Sequence, residues 1–136
     1  MNASSVFKDS LPTSPETLLD KLTSLGISFT THTHTPLRTV EDAKAFRGDL
    51  PGDLPGAHIK NLYLRDRKKR NFLLVAQEDR QIDLKSLEGQ IGSDRLSFGS
   101  ADRLFDMLGV RPGAVSPFTL INDPNHMVKL ILDADL

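Results

Sequence analysis

Between His58 and Ala76 the chain alternates and then stops alternating. His58, Lys60, Leu62 and Leu64 fall on one face of an extended segment, and Ile59, Asn61 and Tyr63 on the other. Phe72 to Ala76 is apolar on both faces, the pattern of a strand inside a covered sheet. The charged stretch between them reads as the turn of a hairpin. Lys60 breaks the pattern, because it shares a face with two leucines and a desolvated ammonium is costly unless it is paired or used.

The flanking segments carry clear punctuation. Ser14-Pro15-Glu16 is a helix start, with a cap, a proline at the first helical position and an acid near the positive end of the dipole. Leu18, Leu22 and Leu25 fall on one side of that helix, and Gly26 can take the left-handed stop. Ile27 to His34 has strand composition and is broken by Pro36. Thr39 can cap a second helix, with Asp42 placed to reach back and Val40, Ala43 and Phe46 on the apolar side. Residues 47–57, with two Leu-Pro-Gly units, read as a loop. The Arg-Gly-Asp triplet inside it is too short to carry an adhesion role. Gln81 to Gly89 reads as a short helix capped by Asp83, and Leu96 to Phe98 as a short strand. Ser100 caps a helix whose Ala101, Leu104, Phe105 and Leu108 recur at helical spacing and whose stop is Gly109. Phe118 to Ile121 and Met127 to Leu132 read as two more strands. Helices and strands intermix without a βαβ rhythm, which predicts a mixed α/β fold with helices packed on a sheet.

Composition narrows the classes. The chain has 136 residues, 38% hydrophobic and 26% charged, which predicts one folded domain. Residues 1–13 read as a flexible tail and residues 14–136 as the single domain. A net charge of −1 excludes a globally basic nucleic-acid binder and leaves only a local patch. The absence of cysteine excludes disulfides, thiolate metal sites and a thiol nucleophile. No apolar run reaches membrane-spanning length and no signal-peptide core is present, so a cytoplasmic protein without a membrane partner is the expectation.

Several residues invite a functional reading beside an ordinary one. Lys60 either snorkels to water along its leucine neighbours or lines a pocket and holds a carbonyl or phosphate oxygen. Asn61 points to the opposite face and orders backbone. Arg65, Arg67, Lys68, Lys69 and Arg70 form either a solvated turn or a contact to a phosphate backbone. Pro112-Gly113 matches the centre of a type II turn, and the loop from Gly113 through Ser116 to Pro117 either is only a turn or presents backbone amides to a substrate oxygen. His32 and His34 share a strand face, but without a carboxylate pattern they read as ordinary polar positions, so no metal or other cofactor is expected.

Two long strings carry a family resemblance. His58 to Asp66 with the apolar strand 72–76, and Leu108 to Phe118 followed by Ile121-Asn122-Asp123, resemble the YbaK/ProX family of editing domains related to the insertion domain of bacterial prolyl-tRNA synthetase. The Lys-Asn-Leu-aromatic-Leu string is most similar to the subgroup that removes alanine from mischarged tRNA for proline. The resemblance implies a largely antiparallel mixed sheet, an aminoacyl-tRNA deacylase and a mischarged tRNA acceptor end as partner, with prolyl-tRNA synthetase as a further candidate. It implies a required role in deacylation for Lys60. It makes Asn61, Gly113, Ser116 and Pro117 the amino-acid pocket, and leaves the basic turn as an acceptor-stem contact. Deacylation of another mischarged amino acid (cysteine, serine or threonine), or a non-catalytic tRNA- or synthetase-binding relative, are the alternatives. Members of the family usually continue some thirty residues past the strand matching Met127 to Leu132, so part of the pocket is expected to be missing here.

Overall fold

The computed structural model describes residues 11–33, 39–47 and 57–136. Helix α1 spans Pro15–Ser24, α2 Val40–Arg47, α3 Leu84–Ile91 and α4 Ala101–Leu108. Strand β1 spans Ile59–Asp66, β2 Asn71–Gln77, β3 Leu96–Phe98 and β4 Val128–Leu132, with a 3₁₀ helix over Pro117–Asn122. The sheet order is β3-β1-β2-β4. β1 pairs antiparallel with β2 and β3, and β4 runs parallel to β2. The mixed, largely antiparallel sheet expected from the sequence is therefore the observed one.

The apolar pattern explains the order. β2 lies between β1 and β4, and its residues Asn71 to Ala76 are all buried. Alternation then sorts two cores onto two faces. On one face Leu64, Phe72 and Leu74 meet Leu87 of α3 and Leu96 of β3. On the other, Tyr63, Leu73 and Val75 meet Leu104 and Leu108 of α4, Val110 and Val128. Leu64, Leu73 and Leu108 are fully buried, and each contributes about 1.5–3 kcal/mol of transfer free energy.

The punctuation residues act as expected. The Thr17 amide donates to the Ser14 hydroxyl at 3.1 Å, the Asp42 amide to the Thr39 hydroxyl at 3.0 Å, and the Arg103 amide to the Ser100 hydroxyl at 3.1 Å. α1 ends in a Schellman motif: Gly26 has φ 75°, its amide donates to Thr23, and the Ile27 amide donates to Leu22. The Lys85 amide donates to the Asp83 carboxylate at N-cap of α3. The Ser86 hydroxyl, with that amide, holds Asp83 below the usual carboxylate range.

Four expectations are corrected. Ile27 to Thr33 forms no strand: it is exposed throughout and pairs with no strand among the described residues, and β-branched composition is only a propensity for a paired surface. Phe118 to Ile121 is helical, because Pro117 opens a 3₁₀ turn and the Thr119 amide and hydroxyl both donate to the Ser116 carbonyl. α3 starts at Leu84 and runs through Gly89 to Gly92, whose φ of 69° provides the stop. Leu25, expected on the packed side of α1, lies beyond its end and is 61% exposed. His34, Pro36 and the loop 48–56 lie outside the described residues, as do residues 1–10 and the side chains of Ala43 and Phe46.

Candidate functional site

Lys60 sits near the start of β1, opposite Ala76. Its position alternates with Leu62 and Leu64, so it belongs to the leucine face of the sheet. It is half-buried, and its ammonium donates to the backbone carbonyl of Arg80, just past the end of β2. That acceptor is neutral. The Lys60 charge is thus not cancelled by a carboxylate among the described residues, and remains available to polarise an oxygen.

Asn61 shares its face with Tyr63. Its side-chain oxygen is buried with no hydrogen-bond partner among the described residues. Tyr63 beside it is settled: its hydroxyl donates to the Asn71 side-chain oxygen at 2.6 Å, and burial pushes its pKa up. The backbone of Gly99 presses on the Tyr63 ring so closely that a Cβ there would stand 2.1 Å from Cε2.

The second string folds into a turn and a short helix. The Ala114 amide donates to the Arg111 carbonyl at 3.2 Å, and Gly113 has φ 95°, which makes Pro112-Gly113 the expected type II turn. The Arg111 guanidinium lies over the Phe105 ring of α4 at 4.7 Å, tying the loop to that helix. Ala114 and Val115 pack on the Tyr63 cluster. Ser116 is extended, and its hydroxyl makes no cap bond to the 3₁₀ helix opened by Pro117.

Ser116 lines a cavity of about 560 Å³ together with Val110, Ala114, Phe118, Thr119 and Asn122 on one side and Thr13 and Leu18 on the other. Asn122 closes its floor: its amide donates to the Leu108 carbonyl at 2.9 Å and its oxygen accepts from Thr13 at 2.6 Å. The sequence reading missed Thr119 and Asn122 as lining residues, because Thr119 was assigned to a strand and Asn122 to the connection after it. Gly113 lies in the turn and Ser116 and Pro117 follow it; of the three only Ser116 lines the cavity, and Asn61 shares the Tyr63 face without lining it. Lys60 belongs to the opposite face.

The five cations of the turn are not alike. Asp66, buried, accepts from the Arg70 amide at 2.9 Å, from Arg70 Nε at 2.8 Å and from the Asp94 amide at 3.1 Å. Burial pushes the Asp66 carboxyl up, but these donors outweigh it and hold it below the usual carboxylate range. Arg67 faces Asp94 at 3.3 Å. Arg65 lies within β1, half-buried, with its Nε unpartnered among the described residues. Lys68 and Lys69 stand exposed, Lys69 with φ 67°. Among the described residues no group of three or more metal-ligating side chains comes together, and no described helix is long and apolar enough to cross a membrane.

A family model described as an aminoacyl-tRNA editing domain matches residues 34–136. The prolyl-tRNA editing protein ProX of Acetoanaerobium sticklandii is 40% identical over 124 residues, covering 89% of this chain and 72% of that protein. Prolyl-tRNA synthetase associated domain-containing protein 1 of Danio rerio is 33% identical over 115 residues, covering 85% of this chain and 60% of that protein. In fold, the crystal structure of hypothetical protein APE2540 matches with a TM-score of 0.66 at 20% identity, over 88% of this chain and 74% of that one. The mixed sheet carrying two capped helices and a turn-built cavity is thus that of an editing domain. The chain belongs to the aminoacyl-tRNA editing domain family, a family of hydrolases that act on the ester between an amino acid and its tRNA.

Proposed function

We propose that the chain deacylates mischarged tRNA in trans, with alanine on tRNA for proline as its substrate. The observation that carries this reading is the 40% identity to the prolyl-tRNA editing protein ProX. The chemistry supports it. A synthetase pocket sized for proline rejects the smaller alanine by only about 1–3 kcal/mol, so a second site must remove the error. A water attacks the ester carbonyl, the bond to the ribose oxygen breaks, that oxygen takes up a proton, and the free amino acid leaves. The backbone amides of the turn at Gly113 stabilise the developing oxyanion, and Lys60, on the other face of the sheet, holds a phosphate of the tRNA end as a point charge. The cavity beside Ser116 and Pro117, with Asn61 on the same face, receives the amino acid. A cytoplasmic location fits the substrate.

The test is deacylation of a panel of labelled aminoacyl-tRNAs, with Lys60→Ala as control. Turnover of the alanyl ester that is lost in the variant is expected. Preference for the cysteinyl, seryl or threonyl ester would move the protein to a sister specificity. Binding of tRNA without turnover of any ester would leave a binding module. The placement of Lys60 on the face opposite the Gly113 turn, held by the Arg80 carbonyl, is what favours that second reading.

A further inference from the structure

At the turn end of the hairpin, on the leucine face, lies a cavity of about 440 Å³. Phe72 and Ile91 form its floor, and its rim carries Lys69, Arg70, His126, the exposed Met127 and Lys129. Two pieces of chain supply the rim: the hairpin turn, and the segment from His126 into β4, where Lys129 stands opposite Phe72. Each makes its approach through a residue in the left-handed region, Lys69 at φ 67° and His126 at φ 54°. No carboxylate lines the cavity. Lys69 and Lys129 are exposed and unpaired among the described residues, whereas Arg70 is already engaged by Asp66.

A second cavity on the same face gives the contrast. It is lined by Arg80 with Asp83, Asp133 and Asp135, and Arg80 is paired to both Asp133 and Asp135. Its cation is neutralised. In a chain of net charge −1, the rim at Lys69 and Lys129 is therefore a local site where positive charge is left unspent, over a floor too apolar to hold it by itself.

We infer that this notch is a second contact to the phosphate backbone of the tRNA, separate from the cavity at Ser116 and made by Lys69 and Lys129, with Arg70 and His126 on its rim. The inference rests on tRNA being the substrate. Spacing supports one nucleic acid reaching both ends of the face: Lys60 pairs with Ala76 and Lys129 with Phe72, about 13 Å apart along β2 at ~3.3 Å per residue. Two exposed ammonium groups over an open notch suit successive phosphates along a strand, which are read for position and not for sequence.

The test measures binding of uncharged tRNA as a function of salt, so it does not depend on hydrolysis. The double variant Lys69→Gln with Lys129→Gln should bind about tenfold more weakly at about 0.1 M salt, and the slope of log affinity against log salt should fall by about 1.4–1.8. Lys85→Gln, exposed on α3 and outside the notch, should leave the slope unchanged. An unchanged slope in the double variant overturns the proposal. So does an equal loss in Lys85→Gln, which would reduce the effect to net charge. Binding of polyglutamate that is lost in the double variant, with tRNA binding unaffected, would give the notch to an acidic protein segment instead. A wild-type chain that binds tRNA through the notch but hydrolyses no ester would sink the deacylase reading and leave this one standing.

Discussion

The Tyr63 hydroxyl and the Asn71 side-chain oxygen meet at 2.6 Å across β1 and β2, both in residues that are buried. The pair lets a phenol and an amide sit inside an otherwise apolar cluster without an unmet hydrogen bond at that point. Tyr63→Phe keeps the ring and removes the donor, so the Asn71 oxygen is left buried and unsatisfied. The expected cost is about 1–3 kcal/mol, read by urea unfolding. An equal stability for the two proteins would mean that Asn71 finds another donor.

Gly99 and Gly89 make an opposed pair. A Cβ at Gly99 would meet the Tyr63 ring at 2.1 Å, and that ring is buried and cannot retreat freely. Gly99→Ala should destabilise by about 1–3 kcal/mol. Gly89 lies inside α3 with open space around it, so Gly89→Ala should stabilise by about 0.5–1 kcal/mol. The two melting curves are to shift in opposite directions.

Asp66 sets an acid limit on stability. Its folded carboxyl titrates below the ordinary 3.8, so the carboxylate form is favoured by folding. That contribution is fully present above the unfolded value and is lost as pH falls through the lower, folded one. Asp66→Asn should be less stable at neutral pH, because an amide cannot accept from the Arg70 amide, the Arg70 guanidinium and the Asp94 amide together. The difference from wild type should shrink steadily below about pH 4. Denaturant unfolding from neutral pH to about pH 2 checks it, and a difference that stays constant with pH refutes it.

Lys60 separates folding from turnover. Among the described residues its ammonium bonds to a carbonyl from a half-buried position, so Lys60→Ala should cost at most about 1 kcal/mol of stability. Loss of the charge proposed to hold the substrate's phosphate end should lower kcat/KM by about 10²-fold. Near-normal turnover would remove Lys60 from the chemistry and leave it as a tie for the chain after β2.

What was legible depended on how local the cause is. The caps at Ser14, Thr39, Asp83 and Ser100, and the stops at Gly26 and Gly109, act within one turn of helix, and the sequence shows them directly. The central position of β2 was legible because burial on both faces leaves an apolar run. The segment 27–33 was not, since strand composition says nothing about whether a partner is present. The 3₁₀ helix at Pro117 was hidden by Phe118, Leu120 and Ile121, whose apolar run suits either state; the Thr119 hydroxyl decided it. At the site, the strings 58–66 and 108–118 carried the resemblance to the family to which the chain belongs. They could not show which of the two faces, that of Lys60 or that of Asn61, carries the Gly113 turn. Nor could they show that two of the turn's five cations are already spent on Asp66 and Asp94.

The parallel pairing of β4 with β2 also has a kinetic side. β1 and β2 are joined by a tight turn and can zip locally, whereas α3, β3, α4 and the 3₁₀ helix lie between β2 and β4 along the chain. Distant pairings of this kind close late, because the entropy of the intervening loop must be overcome first. Lys69 is delivered early, with the hairpin, and Lys129 late, with β4. A half-folded chain would carry the charged turn without the notch, so tight contact with tRNA would be reserved for molecules whose sheet is complete.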